Sequence, residues 1–289
     1  MFGVPALVTG PGGQFDTAAR SSTQKAVGDA LALPVDCLFF DLDTSVPQSD
    51  ELKELARRQV VTVFRDADFG NRVRAIRCNP LRSQWFENDL INVVGAVGEQ
   101  LDALILPGCE TADEVRDVQT ILRNIQHAAG RRNRVFIEAL IDSPRAFTQA
   151  ADIASLEDVA SLVFSARFAR TIGASVTSET WRTDLAAVRE HLPVIAAAHG
   201  KVAVDGVTRG LPRKPEARAT VLSQLQREAE LSNAQGYAAS WIGHKDAITT
   251  IQQAFTPTRE RAELALQFAA RYVKANGGNR RPPIDYAMV

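Results

Sequence analysis

Eight short runs of apolar and β-branched residues recur along the chain, one about every 33 residues, and each is followed by a helical pattern. Most of the runs are continuous rather than alternating, as expected for parallel strands that are buried on both faces. A strand, a crossover helix and two loops together need roughly thirty residues or more, so the spacing predicts successive βα units. The runs are Ala6–Thr9, Asp36–Asp41, Val73–Asn79, Asp102–Pro107, Arg134–Glu138, Ser161–Phe164, Lys201–Asp205 and Tyr237–Trp241.

Amphipathic patterns between these runs predict the crossover helices. In residues 111–126, Thr111 is a good N-cap, and Val115, Val118 and Leu122 line one face. Similar patterns cover residues 49–59, 185–191, 216–231 and 258–274. Since no linker or shift of composition divides the chain, we predict a single α/β domain over residues 1–289. Its predicted fold is a (β/α)₈ TIM barrel with a short C-terminal helical tail over about residues 256–289.

The balance of charges and the cysteine content exclude several classes of protein. The chain has 33 basic and 34 acidic residues, so it has no electrostatic reason to bind nucleic acid or an anionic membrane. No run approaches eighteen consecutive apolar residues, and the first residues do not resemble a signal peptide. Three widely spaced cysteines fit neither a disulfide framework nor a zinc site. We therefore expect a cytoplasmic protein with reduced thiols.

Polar residues stand at the ends of several predicted strands, where functional groups gather in barrels of this kind. Carboxylates and a guanidinium at one mouth would suit a hard divalent cation and an anionic substrate. A strand-end aspartate can equally cap the following helix or loop, so each residue also has a structural interpretation. His244 follows the last run and would suit general acid–base chemistry. The other candidates are Asp41, Asp43, Arg77, Asn79, Glu138, Asp142 and Asp205.

Six segments carry a family resemblance in the same order along the chain. They read DCLFFDLDTSVP, VRAIRCNPLRSQWFENDL, DALILPGCETADEV, FIEALIDSPRAF, LVFSARFARTIGAS and ASWIGHKDAITTIQQAFTPT. These resemble the Asp-Leu-Glu-Asp, Arg-x-Asn, Asp-x-apolar-Pro-Lys, Glu-Thr, Phe-Gly-x-x-Asp-Leu and Ile-His-Pro motifs of citrate lyase beta subunits and related malyl-CoA-type lyases. The chain is thus identified as a divergent relative of the HpcH/HpaI aldolase family.

The resemblance implies a carbon–carbon lyase or aldolase. The family reaction passes through an enolate, with magnesium as the Lewis acid and a small keto or hydroxy acid, or its CoA thioester, as the substrate. Family members form trimers or larger rings, so a homo-oligomer (a trimer or hexamer) is expected. By resemblance, Arg77, Asp41 and Asp43 are catalytic, Arg77, Asn79, Gly12 and Gly108 bind substrate, and Glu138 binds the metal.

Departures from the family pattern predict a weakened site. With one family carboxylate missing, Glu138 is the sole inherited metal ligand, and Asp43 or Asp142 would have to replace the other. The chain also ends about where the family's C-terminal lid would begin, which predicts an open mouth. The departures are Asp43 for glutamate, Thr44 and Phe168 for aspartates, Gly108 for lysine, Pro5 for arginine and Lys245 for proline.

Three functions therefore stay open at this point. The first is a magnesium-assisted lyase that uses Arg77 and Glu138. The second is an altered activity in the same barrel, such as thioester hydrolysis or a metal-independent retro-aldol step, with Asp43 or His244 as the base. The third is a non-catalytic interaction or regulatory protein with a degraded metal site.

Overall fold

The computed structural model describes residues 5–7, 28–131, 133–174, 184–207, 211 and 214–275. Eight strands form one sheet in chain order, and every neighbouring pair is parallel. The α/β class and the predicted parallel order are thus confirmed. The strands are β1 (Pro5–Leu7), β2 (Cys37–Asp41), β3 (Val73–Arg77), β4 (Ala103–Leu106), β5 (Phe136–Ile141), β6 (Val159–Phe164), β7 (Val202–Asp205) and β8 (Ala239–Ser240).

Helices follow the strands, as the amphipathic patterns predict. Thr111 caps its helix through a reciprocal capping box with Glu114, which satisfies two backbone donors of the first turn. The helices are α1 (Asp50–Asp66), α2 (residues 86–97, with a π-helical segment at Leu90–Val94), α3 (Ala112–Ala128), α4 (Pro144–Thr148), α5 (Ala150–Ala154), α6 (Ala166–Thr171), α7 (Ala186–Ala198), α8 (Pro215–Ala234), α9 (Ile248–Phe255) and α10 (Arg259–Ala275), with a 3₁₀ turn at Lys245–Ala247.

The end of β5 differs from the sequence prediction. The strand does not stop at Glu138 but continues to Ile141, because Ala139, Leu140 and Ile141 pair with the last three residues of β6. Glu138 therefore lies in the middle of the strand, and Asp142 is the residue that follows it.

The sheet has an apolar core on each face. Side chains such as Leu38 and Ile76 pack against the helices in the larger core. Alternate residues, such as Phe39 and Ile105, form a second core on the other face. Trp241, just after β8, stacks on Phe39 of β2 with ring centroids 4.8 Å apart. The sheet is therefore curled, and the smaller core lies inside the curl.

The cysteines and the helices can be compared with the classes of protein that the sequence excludes. Cys37, Cys78 and Cys109 are free and buried, as predicted. Within the described ranges, no helix combines the length and the apolar composition that crossing a membrane requires.

Candidate active site

A row of directly paired residues crosses five strands at the centre of the candidate site. Asp41 pairs with Arg77, Arg77 with Ile105, Ile105 with Glu138, and Glu138 with Ser161. Ile105 belongs to the core inside the curl, and partners in a parallel register share a face. The row therefore brings two carboxylates, a guanidinium and a hydroxyl to the inner face of the sheet.

Asp41 and Arg77 form a buried bidentate ion pair. Arg77 donates from Nε to Asp41 Oδ1 at 2.7 Å and from Nη2 to Oδ2 at 2.5 Å, and its guanidinium lies 5.4 Å from the Trp241 ring centroid. Burial raises the pKa of Asp41, but hydrogen bonds from Arg77, Ser45 and the Asp43 backbone outweigh it and hold the pKa below its usual value. Both charges are thus fixed in place, and much of the hydrogen-bonding capacity of Arg77 is used within the protein.

Glu138 is a buried carboxyl without a protein partner among the described residues. Burial alone raises its pKa to about 7. The hydroxyl of neighbouring Ser161 and the indole N–H of Trp241, both on the inner side, are also buried and unpartnered within the described part of the chain. Buried polar groups normally find a partner, so this side of the row is suited to a polar ligand or ion.

Arg167, which the sequence analysis missed, reaches the site from the first turn of α6. Its Nη1 lies 3.6 Å from Asp142 Oδ2, and its Nη2 lies 3.7 Å from Asp43 Oδ2. Burial raises the pKa of both aspartates, and the charge of Arg167 offsets part of that rise. The signal that could have found it is its place three residues after β6, at a strand end like the other candidates.

Phe168, which by the family resemblance stands where a second metal ligand is expected, faces away from the inner core. It packs against Phe147 and Phe164, with ring centroids 5.6 Å and 5.7 Å away, in the core between sheet and helices. Among the described residues, no three histidine, cysteine, aspartate or glutamate side chains are grouped closely enough to hold a metal ion together.

Gly108 contributes backbone rather than the lysine side chain of the family pattern. Its N–H donates to Asp142 Oδ2 at 3.2 Å, and its carbonyl accepts from Arg82 Nη1 at 3.0 Å. Its φ of +74° lies in the left-handed region, and an added Cβ would lie 3.3 Å from Pro80 Cβ. Glycine is therefore required locally. Gly12, the other predicted backbone contact, lies outside the described residues.

Replacing Gly108 with alanine is expected to cost about 1–2 kcal/mol of unfolding free energy from the left-handed backbone, plus a further cost from the Pro80 contact. Gly173→Ala is the matched control, because Gly173 has a φ of +77° and open space around its Cβ position. Urea denaturation of both variants separates the cost of the left-handed backbone from the cost of the Cβ contact with Pro80. Equal losses in the two would show that the contact with Pro80 costs nothing.

Asn79 is used inside the protein. Its Nδ2 donates to Asp89 Oδ2 at 2.7 Å, and its Oδ1 accepts from Lys53 Nζ at 2.6 Å. Lys53 also donates to the carbonyls of Leu42 and Asp43, so this buried network holds the loop after β2 in place. The substrate-binding role of Asn79 stays a prediction.

Asp205 does not converge on the mouth, contrary to the sequence expectation. Its carboxylate lies between sheet and helices, where Arg189 Nη2 at 3.2 Å and Ser232 Oγ at 2.7 Å donate to it. The reason is strand alternation: its neighbour Val204 belongs to the inner core, so Asp205 faces outward.

His244 serves as a cap in the structure. Its Nδ1 accepts from the Asp246 backbone N–H at 3.2 Å at the start of the 3₁₀ turn. The Asp246 carboxylate in turn accepts from Arg218 at 2.7 Å. An acid–base role for His244 stays a prediction.

Comparisons with known proteins identify the family of the chain. The family model described as HpcH/HpaI aldolase/citrate lyase matches residues 19–227. The chain is 26% identical over 269 residues to the L-malyl-CoA/beta-methylmalyl-CoA lyase of Rhodobacter capsulatus, covering 83% of this chain and 78% of that protein. It is 24% identical over 259 residues to a (3S)-malyl-CoA thioesterase of Cereibacter sphaeroides, covering 88% and 81%.

Solved structures support the fold. The citrate lyase beta subunit of M. tuberculosis, complexed with oxaloacetate and magnesium, has a TM-score of 0.63 at 21% identity, covering 88% of this chain and 97% of that one. A citrate lyase of Burkholderia xenovorans has a TM-score of 0.71 at 17% identity, covering 100% and 96%.

Proposed function

The chain belongs to the HpcH/HpaI aldolase/citrate lyase family, and on that premise we propose that it is a divergent carbon–carbon lyase. Its proposed substrate is a small hydroxy acid carried as a CoA thioester, the class named in the relatives from R. capsulatus. The observation that carries the proposal is the inner row, in which the Asp41–Arg77 pair lies two strands from the unpartnered carboxyl of Glu138.

The residues present fit a magnesium ion held by one protein carboxylate. Glu138 is a buried carboxyl with no described protein partner, and magnesium commonly takes one or two carboxylates and completes its shell with substrate oxygens and water. Because Phe168 offers no second carboxylate, we expect weaker binding than a two-carboxylate site would give. Bound magnesium would act as a Lewis acid on a substrate oxygen.

The chain's own residues supply the remaining chemistry. Asp43, half-buried two residues after β2, is proposed to accept the hydroxyl proton. The carbon–carbon bond then breaks, its electron pair passes to the thioester as an enolate, the hydroxyl carbon becomes a carbonyl, and the enolate carbon takes a proton. Arg77, held by Asp41, supplies a fixed positive charge beside the developing oxyanion.

Thioester hydrolysis is the second candidate, and the match to a (3S)-malyl-CoA thioesterase over 88% of the chain favours it. In this reaction, water attacks the thioester carbonyl and the CoA thiol leaves, so no carbon–carbon bond breaks. The two activities are distinguished by their products.

The test is turnover of malyl-CoA by the purified protein, with magnesium and with EDTA. We expect glyoxylate, measured as its phenylhydrazone, together with acetyl-CoA, in magnesium only. Free thiol without glyoxylate would assign the hydrolase. The absence of both products at millimolar magnesium would contradict both activities and favour the non-catalytic alternative. Arg170→Gln, an exposed change on α6, serves as the control variant.

We also propose that the sheet closes through β1 and β8 into a (β/α)₈ barrel of one domain over residues 1–289, with a tail from about residue 256. The contact between Phe39 of β2 and Trp241 after β8 supports closure. A homo-oligomer, a trimer or hexamer, and a cytoplasmic location complete the proposal; the three free thiols support a reducing compartment. A monomer in light scattering would contradict the oligomer.

A further inference from the structure

We propose that Arg167 binds a free carboxylate of the substrate and so determines specificity for acids over uncharged analogues. The proposal rests on the proposed function for the identity of the reaction, but the binding role can be tested without turnover. It is carried by the way in which the Arg167 guanidinium is held compared with those of Arg77 and Arg82.

Arg167 is held by charge while its hydrogen-bond donors stay available. Its guanidinium contacts, at 3.6 Å to Asp142 and 3.7 Å to Asp43, are too long for hydrogen bonds, and the guanidinium donates no hydrogen bond to another described residue. The side chain is 42% exposed. A guanidinium in this state is oriented by its neighbours and still able to form the paired N–H···O bonds that a carboxylate accepts.

The neighbouring arginines are held differently. Arg77 is buried and donates to both oxygens of Asp41. Arg82 donates to the Gly108 carbonyl and to the carboxylates of Glu110 and Glu114. These side chains already hold protein acceptors, so a substrate anion would have to displace them. At Arg167, the substrate anion meets guanidinium N–H groups that donate to no described protein acceptor.

Arg167 lies beside the two aspartates that follow β2 and β5. Asp43 follows β2 and Asp142 follows β5, the strand of Glu138, so the guanidinium lies at the mouth above the inner row. Glu138 would hold the hydroxyl oxygen through a bound cation, and Arg167 would hold the free carboxylate on the hydroxyl carbon.

The substrate class that follows is a hydroxy or keto acid, or its monothioester, with one carboxylate left free. Analogues in which that group is an amide or ester keep the shape but lose the charge-assisted hydrogen bonds. Substrates with a terminal methyl or amide should therefore bind poorly.

The experiment is calorimetric titration with L-malate, and with its diamide, in EDTA so that no metal contributes. Arg167→Gln is expected to weaken malate binding about 10- to 100-fold, matching the contribution of a charged hydrogen-bonded pair. Arg167→Lys keeps the positive charge without the paired guanidinium N–H donors and should lose less malate affinity. Arg170→Gln, which removes an exposed charge from the same helix, should stay within about twofold, since exposed charges are screened.

Several outcomes would overturn the proposal. They are unchanged malate affinity in Arg167→Gln, an equal loss in Arg170→Gln, equal binding of malate and its diamide, or no malate binding by the wild type at tens of millimolar. Thermal melting of each variant checks folding, and Arg167→Lys keeps the test valid if Arg167→Gln unfolds.

The two proposals fail separately. If malyl-CoA is cleaved but Arg167→Gln changes neither malate affinity nor KM, the role of Arg167 is wrong and the lyase stands. If malate binding depends on Arg167 but malyl-CoA yields no product, the lyase is wrong and the carboxylate site stands.

Discussion

Replacing Glu138 with glutamine is expected to abolish magnesium-dependent turnover and, at the same time, to stabilise the folded protein above pH 7. The loss of turnover follows from removal of the one carboxylate that we propose to hold the metal. The gain in stability follows from removal of a buried group that resists ionisation. Residues placed for function often carry such a cost in stability.

The pH dependence has a definite sign. Burial raises the Glu138 pKa from 4.5 to about 7, so between these values the native state keeps a proton that the unfolded chain releases. The free energy of unfolding therefore falls as pH rises through this window, by about 3 kcal/mol in total. Glutamine has no proton to lose, so Glu138→Gln and wild type should be similar below pH 4.5 and differ most at pH 8.

Urea denaturation of both proteins at pH 4.5, 6 and 8 measures this difference. Glu190→Gln, which changes an exposed glutamate in α7, is the matched control and should follow the wild type. Millimolar magnesium at pH 8 should raise the melting temperature of the wild type and leave that of Glu138→Gln unchanged, because a ligand stabilises only the state that binds it. If the difference in unfolding free energy between Glu138→Gln and wild type does not vary with pH, burial does not raise the pKa of Glu138.

Removing the carboxylate of Asp205 is expected to destabilise the fold by about 3–5 kcal/mol while leaving kcat/KM of the folded enzyme within about threefold of wild type. Asp205 and Arg189 are both fully buried and joined at 3.2 Å, and Ser232 and the Val207 backbone N–H also donate to the carboxylate. Asp205→Ala would leave the Arg189 charge buried without this partner.

Chemical denaturation and malyl-CoA kinetics on Asp205→Ala test the two parts of this prediction. The double variant Asp205→Ala/Arg189→Met should cost less than the sum of the single changes, because it removes both charges together. Normal stability with a tenfold or larger loss of kcat/KM would return Asp205 to the active site, as strand-end position alone suggests.

Much of the fold follows from the sequence because the signal is local. A parallel strand covered on both faces must be apolar along its length, so β2 and β4 are readable as continuous runs. The cap at Thr111 depends on a partner three residues away and is equally readable. The end of β5 was misplaced, because only pairing with β6 carries that strand past the charged Glu138 to Ile141.

The sequence pointed to candidate side chains but not to the contacts between them. Expected strand ends selected Asp41, Arg77 and Glu138, which share one register row, although Glu138 lies in the middle of β5. They also selected Asp205, which faces the helices, and they overlooked Arg167. A shift of one residue along a strand moves a side chain to the other face of the sheet. Position at a strand end therefore cannot tell whether a side chain faces the mouth or the surrounding helices.

The sequence by itself therefore determined the order of the strands, the helices between them and the chemical types near their ends. Only the tertiary structure decided which charges meet. Arg77 joins Asp41 across 36 positions of chain, Arg167 lies between carboxylates from β2 and β5, and Glu138 is left with no described partner. The physical reason is range: hydrophobic periodicity acts between near neighbours, whereas ion pairs and desolvation depend on which distant strands the curled sheet brings together.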